Sequence, residues 1–388
     1  FELKIAASPP LRFFAYSLGV VEGKVFSSQQ DIQSYFEEVG LPVVKPVEKK
    51  KLVRVCEGPD EVIQYYHDVE KLRHQLPFDI DGIVVKANSL RIQDDLGLVA
   101  RSPRWATAAK YKPQQAETLV ENILVQVGRT GALTPVAIMK PVKVGGVTVT
   151  NATLHNQEEI NRKDVRIGDT VLIQRAGDVI PEIVSVNLDK RPKSSEPFVI
   201  PKKCPSCGEK VVQAEEEVVS RCVNPFCSAI VKESLKHFVA RRAMNIDKVG
   251  DRLIETFVDA GLVNSFSDFY RLKKQQILDL DRQGEKSADN VINSIEKSKK
   301  ATLPRLIFSL GIRFVGEQTA KSLADHFVSI ERFLEASEED LITVPDIGPK
   351  VAKSIMDWLN KKNLVKEVRD LLKLGVTVEG PQRNTEGP

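Results

Sequence analysis

CPSCGEKVVQAEEEVVSRCVNPFC, the run from Cys204 to Cys227, holds four of the chain's five cysteines and divides two stretches of different character. Cys204-x2-Cys207 and Cys222-x4-Cys227 are close pairs separated by 14 residues. Such pairs bring four thiolates to one tetrahedral Zn²⁺, with Zn–S bonds of about 2.3 Å. Gly208 supplies the tight turn that such a knuckle needs. No His lies in the run, and four protein ligands leave no open position for water, so the site reads as structural. Two disulfides or four buried free thiols are the other readings of the same residues.

C-terminal to this run, strand patterns stop and amphipathic helices take over. Four segments there repeat: Val249-Gly250, Gln283-Gly284, Val315-Gly316 and Ile347-Gly348, with glycines 34, 32 and 32 residues apart. Each glycine lies between two helical patterns, and Ala288, Ala320 and Ala352 follow the last three at the same offset. Repeats of this period are repeated supersecondary units, and these suit helix-hairpin-helix units. A helix start after such a glycine offers backbone N–H groups to a phosphate oxygen. This mode tolerates the near-neutral charge of residues 231–388, 26 Lys and Arg against 24 Asp and Glu, with Lys286 and Lys350 close by. An ordinary helical bundle with glycine at its helix ends is the plainer alternative.

N-terminal to the cysteines, short β-branched runs (Ile123–Val127, Val147–Thr150, Thr170–Gln174, Ile183–Val186) suit a small barrel. The stretch Asp189–Pro197 reads as a linker. Residues before 114 read as mixed α/β, with strands at Leu11–Val21, Ile80–Lys86 and Trp105–Tyr111 and helices at Asp31–Val39 and Asp60–Gln75. The predicted organisation is multidomain α+β: 1–113 part of an α/β domain, 114–200 a barrel, 201–228 a zinc module, 229–380 an all-α hairpin domain, 381–388 a tail.

The 388 residues are 42% apolar, which excludes disorder as the dominant state. No 18-residue stretch is free of charge, which excludes a membrane-spanning helix. A net charge of +3 is small, so a nucleic-acid partner must be argued from local geometry. Five cysteines are too few for a disulfide scaffold, and the reducing cytosol is the expected compartment. The chain starts at Phe1, not Met, and reads as a piece of something longer.

In Asp81-Gly82-Ile83-Val84-Val85-Lys86, alternation puts Gly82, Val84 and Lys86 on one strand face. In Trp105–Lys112, Ala106, Ala108, Lys110 and Lys112 share a face. An apolar residue for a flat ring, with lysines for a phosphate, suits nucleotidyl transfer. Two surface strands ending in solvated lysines fit the same pattern. Gly128-Arg129-Thr130-Gly131 and Arg175-Ala176-Gly177-Asp178 are turns that present an arginine, to a phosphate or simply to solvent. His155 reads as a structural histidine, and Cys56 has no assigned role.

Together these motifs resemble the bacterial NAD-dependent DNA ligases from Leu11 to about Val378. Leu11–Gly19 (LRFFAYSLG), Phe78–Asn88 (FDIDGIVVKAN) and Arg104–Tyr111 (RWATAAKY) look like that family's nucleotidyltransferase motifs. Gly128–Ala137 (GRTGALTPVA), Asn151–Asn156 and Arg175–Pro181 (RAGDVIP) look like its OB-fold. The four-cysteine module and four hairpins follow in the same order. The resemblance implies a partial nucleotidyltransferase fold, an OB-fold β-barrel, a four-cysteine zinc module and an all-α helix-hairpin-helix domain.

It implies, further, that Tyr16 and Val84 sandwich the adenine and that Lys86 and Lys110 neutralise the transferred phosphate. Arg73 would approach the adenylate or nick phosphate, Arg129 the DNA backbone, and Gly250, Gly284, Gly316 and Gly348 the duplex phosphates. NAD would donate AMP, magnesium would assist, zinc would be structural, and nicked duplex DNA would be the substrate of a monomer in the bacterial cytoplasm, at the nucleoid. The family's nucleophilic lysine, in a Lys-x-Asp-Gly motif, is expected upstream of residue 1, and its BRCT domain beyond residue 388. A non-catalytic nicked-duplex binding protein is the alternative.

Overall fold

In the computed structural model of the chain, the described residues are 13–44, 52–99, 102–175, 181–213, 217–281 and 283–380. They fall into two compact units, one of 1–118, 141–150 and 172–184, the other of 119–140, 151–171 and 185–388.

In the first unit, the helix Gln29–Glu38 starts on a capping box in which Ser28 and Asp31 satisfy each other's backbone N–H groups. The helix Pro59–Leu72 takes Pro59 as its first residue, where a missing N–H costs nothing. Strand β1 (Gly82–Lys86) pairs antiparallel with β4 (Ala106–Lys110), and the short β2 (Leu98–Val99) and β3 (Ser102–Pro103) pair between them. Val69 on the second helix, Ile83 and Tyr111 form the local core.

The expected strand Leu11–Val21 is not formed over its described residues, 13–21. A strand exists only through a ladder, and this segment shows one backbone bond of that kind, Ala15 N–H to Pro42 O at 2.8 Å.

Strands β5 (Gln114–Val127), β6 (Leu133–Val144), β7 (Val147–Thr153), β8 (Thr170–Arg175) and β9 (Glu182–Val186) make one sheet, ordered β7-β6-β5-β8-β9. Sequence runs marked four of these strands and missed β6, where Pro135 and Pro141 interrupt the β-branched pattern. The β6–β7 reversal is made by Gly145 and Gly146, at φ +58° and +77°, as a two-residue hairpin demands. Among the described residues β7 and β9 are not paired, so the sheet has the OB-fold strand set without ladder closure into a barrel.

The stretch Asp189–Pro197 is not a free linker. Arg191 donates to Asp164 and to the fully buried Asp169, while Arg166 donates to Asp164 and to the Ser195 carbonyl. A buried carboxylate requires such partners, and here they strap the segment to the sheet domain.

Beyond the cysteines the second unit is helical. A helix follows each hairpin glycine: Asp251–Asp259, Glu285–Ser298, Glu317–Phe327 and Pro349–Leu359; the last three are preceded by shorter helices and the first by the longer Ser228–Val239. Phe238, Phe257, Phe269 and Phe333 are fully buried in one continuous core, and Phe238 stacks on Phe266 at 4.4 Å. The C-terminal strand Thr377–Glu379 pairs parallel with Lys300–Thr302 and ends in this core.

Candidate functional site

Four elements carry the candidate chemistry, and the cysteines are the most completely defined. Sγ atoms of Cys204, Cys207, Cys222 and Cys227 all lie within 4.8 Å of one another. The Cys204–Cys227 and Cys207–Cys222 sulfurs are 3.8 Å and 3.5 Å apart. Those separations are far beyond a disulfide bond of about 2.05 Å and match the edge of a ZnS₄ tetrahedron, about 3.8 Å. Gly208, at φ +76°, closes the first knuckle by donating its N–H to the Cys204 carbonyl. Burial pushes the Cys222 thiol up to about 12, whereas a backbone hydrogen bond at Glu209 brings the Cys207 thiol down to about 7; a central cation would favour the thiolate at both. The donor set fits Zn²⁺ and leaves no open ligand position.

The zinc module is docked by a turn that sequence reasoning read as an arginine display. Gly131, at φ +76°, lies so close to the module that a Cβ there would be 2.1 Å from the Cys222 carbonyl oxygen. Cys222 N–H donates to Gly131 O at 2.9 Å, and Arg221 donates to the Thr130 hydroxyl at 2.9 Å. Ile230 packs there with Val127 and Leu133. Arg129, in the same turn, donates to the Gly311 carbonyl at 2.7 Å and is half-buried. Burial holds its guanidinium below the usual arginine range.

In the first unit, the β1–β4 register sets Gly82, Val84 and Lys86 directly opposite Lys110, Ala108 and Ala106. The two lysines therefore occupy opposite ends of one face, about 13 Å apart along the ribbon. Val84, at the middle of β1, is 62% exposed. Lys86 Nζ lies 5.3 Å from the centre of the Tyr16 ring, itself 71% exposed. Burial lowers the Lys86 ammonium from its ordinary value. Lys110 is ion-paired with Asp81, and the Lys110 carbonyl accepts from Tyr66 Oη at 2.9 Å. A Cβ at Gly82 would be 2.3 Å from Ala109 O, so glycine is what lets the two strands approach. Arg73 is placed elsewhere, its guanidinium 5.4 Å from the Tyr111 ring centre.

Gly250, Gly284, Gly316 and Gly348 each occupy the N-cap of the helix that follows, at φ −85°, −104°, −89° and −87°. None has a side-chain cap bond, and an added Cβ would meet nothing within 4 Å at any of the four. Neither backbone angle nor internal packing asks for glycine here. What it preserves is open access to the first N–H groups of the helix. Val249, Val315 and Ile347, just before three of them, are buried and anchor the hairpins. The second turn predicted to show an arginine, at 175–178, lies outside the described residues except for Arg175, which donates to the Gly145 carbonyl at 3.0 Å.

Comparison with known proteins matches the β1–β4 face, the sheet, the cysteine module and, of the four hairpins, those of Gly316 and Gly348. Residues 1–114 match the NAD-dependent DNA ligase adenylation domain, 117–195 that family's OB-fold domain, and 203–229 its C4 zinc finger domain. Residues 305–368 match the helix-hairpin-helix motif. A DNA ligase of Bdellovibrio bacteriovorus is 69% identical over 385 residues, covering 99% of this chain and 56% of the relative. DNA ligases of Coxiella burnetii and Geobacter sulfurreducens are 47% and 45% identical, over 96% and 99% of the chain and 55% and 56% of their own length. The chain thus spans little more than half the length of these relatives. Three family-specific domains in one order, together matching more than half of the chain, place it in the family of NAD-dependent DNA ligases.

Proposed function

We propose that the chain belongs to a protein that seals nicks in duplex DNA with NAD as the AMP donor, in replication and repair. An enzyme lysine takes AMP from NAD, the AMP passes to the nick 5′-phosphate, and the 3′-hydroxyl displaces it with magnesium present. The observation that carries this reading is the β1–β4 face: an exposed Val84 flanked by lysines, with the Tyr16 ring beside Lys86. That face suits a purine against Val84 and Tyr16. Lys86 meets the adenylate phosphate, and Lys110 does so on release from Asp81. Positive charge placed where phosphate charge develops is the main protein contribution to such transfers. Arg73 approaches the same phosphate once it leaves Tyr111.

The hairpin glycines hold duplex phosphates, and Arg129 joins them through the guanidinium N–H groups that it does not give to the Gly311 carbonyl, which gives affinity without reading sequence. Zinc fixes the module between sheet and hairpins. We propose a monomer working on bacterial DNA in the cytoplasm. We assign domains at 1–113, 114–200, 201–228 and 229–380.

None of the 388 residues lies in a Lys-x-Asp-Gly setting. The chain by itself therefore binds a nick and does not seal it. The test is incubation with labelled NAD and Mg²⁺ in the presence of a nicked duplex. No AMP should appear on the protein, the nick should stay open, and a pre-adenylated nick should be bound with a Lys86- and Lys110-dependent gain over an unadenylated one. Sealing from NAD, or no dependence on either lysine, would overturn the reading.

A further inference from the structure

The residue two places before a hairpin glycine is in the left-handed backbone region at Lys248, Phe314 and Asp346, with φ of +69°, +67° and +66°. Asp, like Asn, tolerates this conformation through its short polar side chain, and a bulky ring does not. Asp346 fits this rule, whereas Lys248 and Phe314 are held there against it, Phe314 with the bulkiest side chain of the three. Phe314 is also 41% exposed, so core packing does not explain the choice.

Its surroundings are built. The Arg313 guanidinium lies 4.5 Å and the Lys350 ammonium 5.1 Å from the ring centre. Lys350 belongs to the first turn of the helix capped by Gly348, so ring and cation come from neighbouring hairpins. Ser354 donates to the Arg313 carbonyl at 2.8 Å, which joins the two hairpins behind the ring. Arg313 donates to Glu217 at 2.7 Å, and Glu217 also accepts from Arg221, next to Cys222. The zinc module thus fixes the base of the ring's support. A strained, exposed aromatic flanked by cations, between two open helix N-termini, matches a surface of alternating phosphate and apolar sugar.

We propose that Phe314 is a nucleic-acid contact residue whose ring edge lies on the deoxyribose faces between phosphates held by the third and fourth hairpins. This rests on the duplex-binding reading above. The ring supplies an apolar contact that salt does not screen, while Lys350 and the Gly316 and Gly348 helix starts supply the screened part.

The test is anisotropy of a labelled nicked duplex, and of the same intact duplex, with the full chain at several salt concentrations. Phe314→Asn keeps a residue suited to the left-handed region, and Phe314→Leu keeps the apolar contact; melting midpoints check that both fold. Phe314→Asn should bind both duplexes about tenfold more weakly at every salt concentration, the scale of one aromatic contact, with an unchanged salt slope. Phe314→Leu should recover most of that loss. Unchanged affinity in Phe314→Asn, or a loss accompanied by a shallower slope, would overturn the proposal, the latter because the ring would then only hold the cations. Gly316→Ser and Gly348→Ser are the companion variants. If they too leave affinity unchanged, the duplex-binding reading falls with it; if they weaken binding and Phe314→Asn does not, only the role of the ring is lost.

Discussion

At the scale of single residues, glycine has two opposite meanings in this chain. Gly82 is needed from within, because a Cβ would strike Ala109 O at 2.3 Å. Gly82→Ala should cost about 1–3 kcal/mol locally, as overpacking does, and splay β1 from β4. Thermal unfolding would report this, along with lost preference for the adenylated nick. Gly316 and Gly348 are needed for nothing inside the molecule, with φ near −90° and open space at Cβ. Serine is an equal or better N-cap, so Gly348→Ser should leave stability unchanged or raise it by a few tenths of a kcal/mol. Its hydroxyl would take the N–H groups that a phosphate needs, and duplex affinity should fall severalfold. A variant that melts normally and still binds normally would contradict the phosphate role. The repeat was legible in sequence because it is periodic. The absence of any internal need for its glycines became visible only from φ and empty volume.

At the scale of elements, the turn 128–131 and the zinc module act as one piece. Gly131→Ala should undock the module as effectively as Cys204→Ser removes its metal, since the Cβ meets Cys222 O at 2.1 Å and φ is +76°. Metal analysis should find one zinc per chain in the unaltered protein and in Gly131→Ala, and none in Cys204→Ser. Apparent binding in small zinc modules is on the order of 10 kcal/mol, so metal loss should unfold this one locally. Duplex affinity should fall in both variants; an unchanged Gly131→Ala would separate the two elements. The helix Gln157–Lys163 gives a pH signature. Hydrogen bonds from Arg162 and Lys163 hold the Glu159 carboxyl at about 2, below its ordinary 4.5. A carboxylate with a lowered folded value contributes fully above about pH 4.5 and loses its contribution as pH falls toward 2. Glu159→Gln should therefore flatten the acid side of the stability curve in that window, which thermal unfolding followed across the acid range would show.

At the scale of the molecule, the expected behaviour is sequence-independent binding with a steep salt dependence. The slope of log affinity against log salt should report the phosphates engaged, at roughly 0.9 per phosphate on duplex DNA. Equilibrium titration of two unrelated nicked duplexes at several salt concentrations measures it. Strong preference for one sequence, or binding insensitive to salt, would exclude a phosphate clamp. Near-neutral composition does not forbid such a clamp, because N–H groups at helix starts carry no formal charge and leave net charge at +3.

The parts and their order are written in the residues. Cysteine spacing is a ligand count, a period of 32 to 34 residues is a repeated unit, and strand alternation put Val84 and Lys86 on one face. Each is a local rule of chain geometry. What depends on the approach of distant segments came from the fold. It closed four sulfurs to within 4.8 Å, set Lys86 and Lys110 at opposite ends of the ribbon, and turned Arg129 toward Gly311. It also made a strap of the apparent linker at Arg191, and raised Phe314 between Arg313 and Lys350. The reason is the same in every case. A turn glycine or an arginine looks alike in sequence whether its partner is solvent, a phosphate or a carbonyl 182 residues away, and packing alone selects among them.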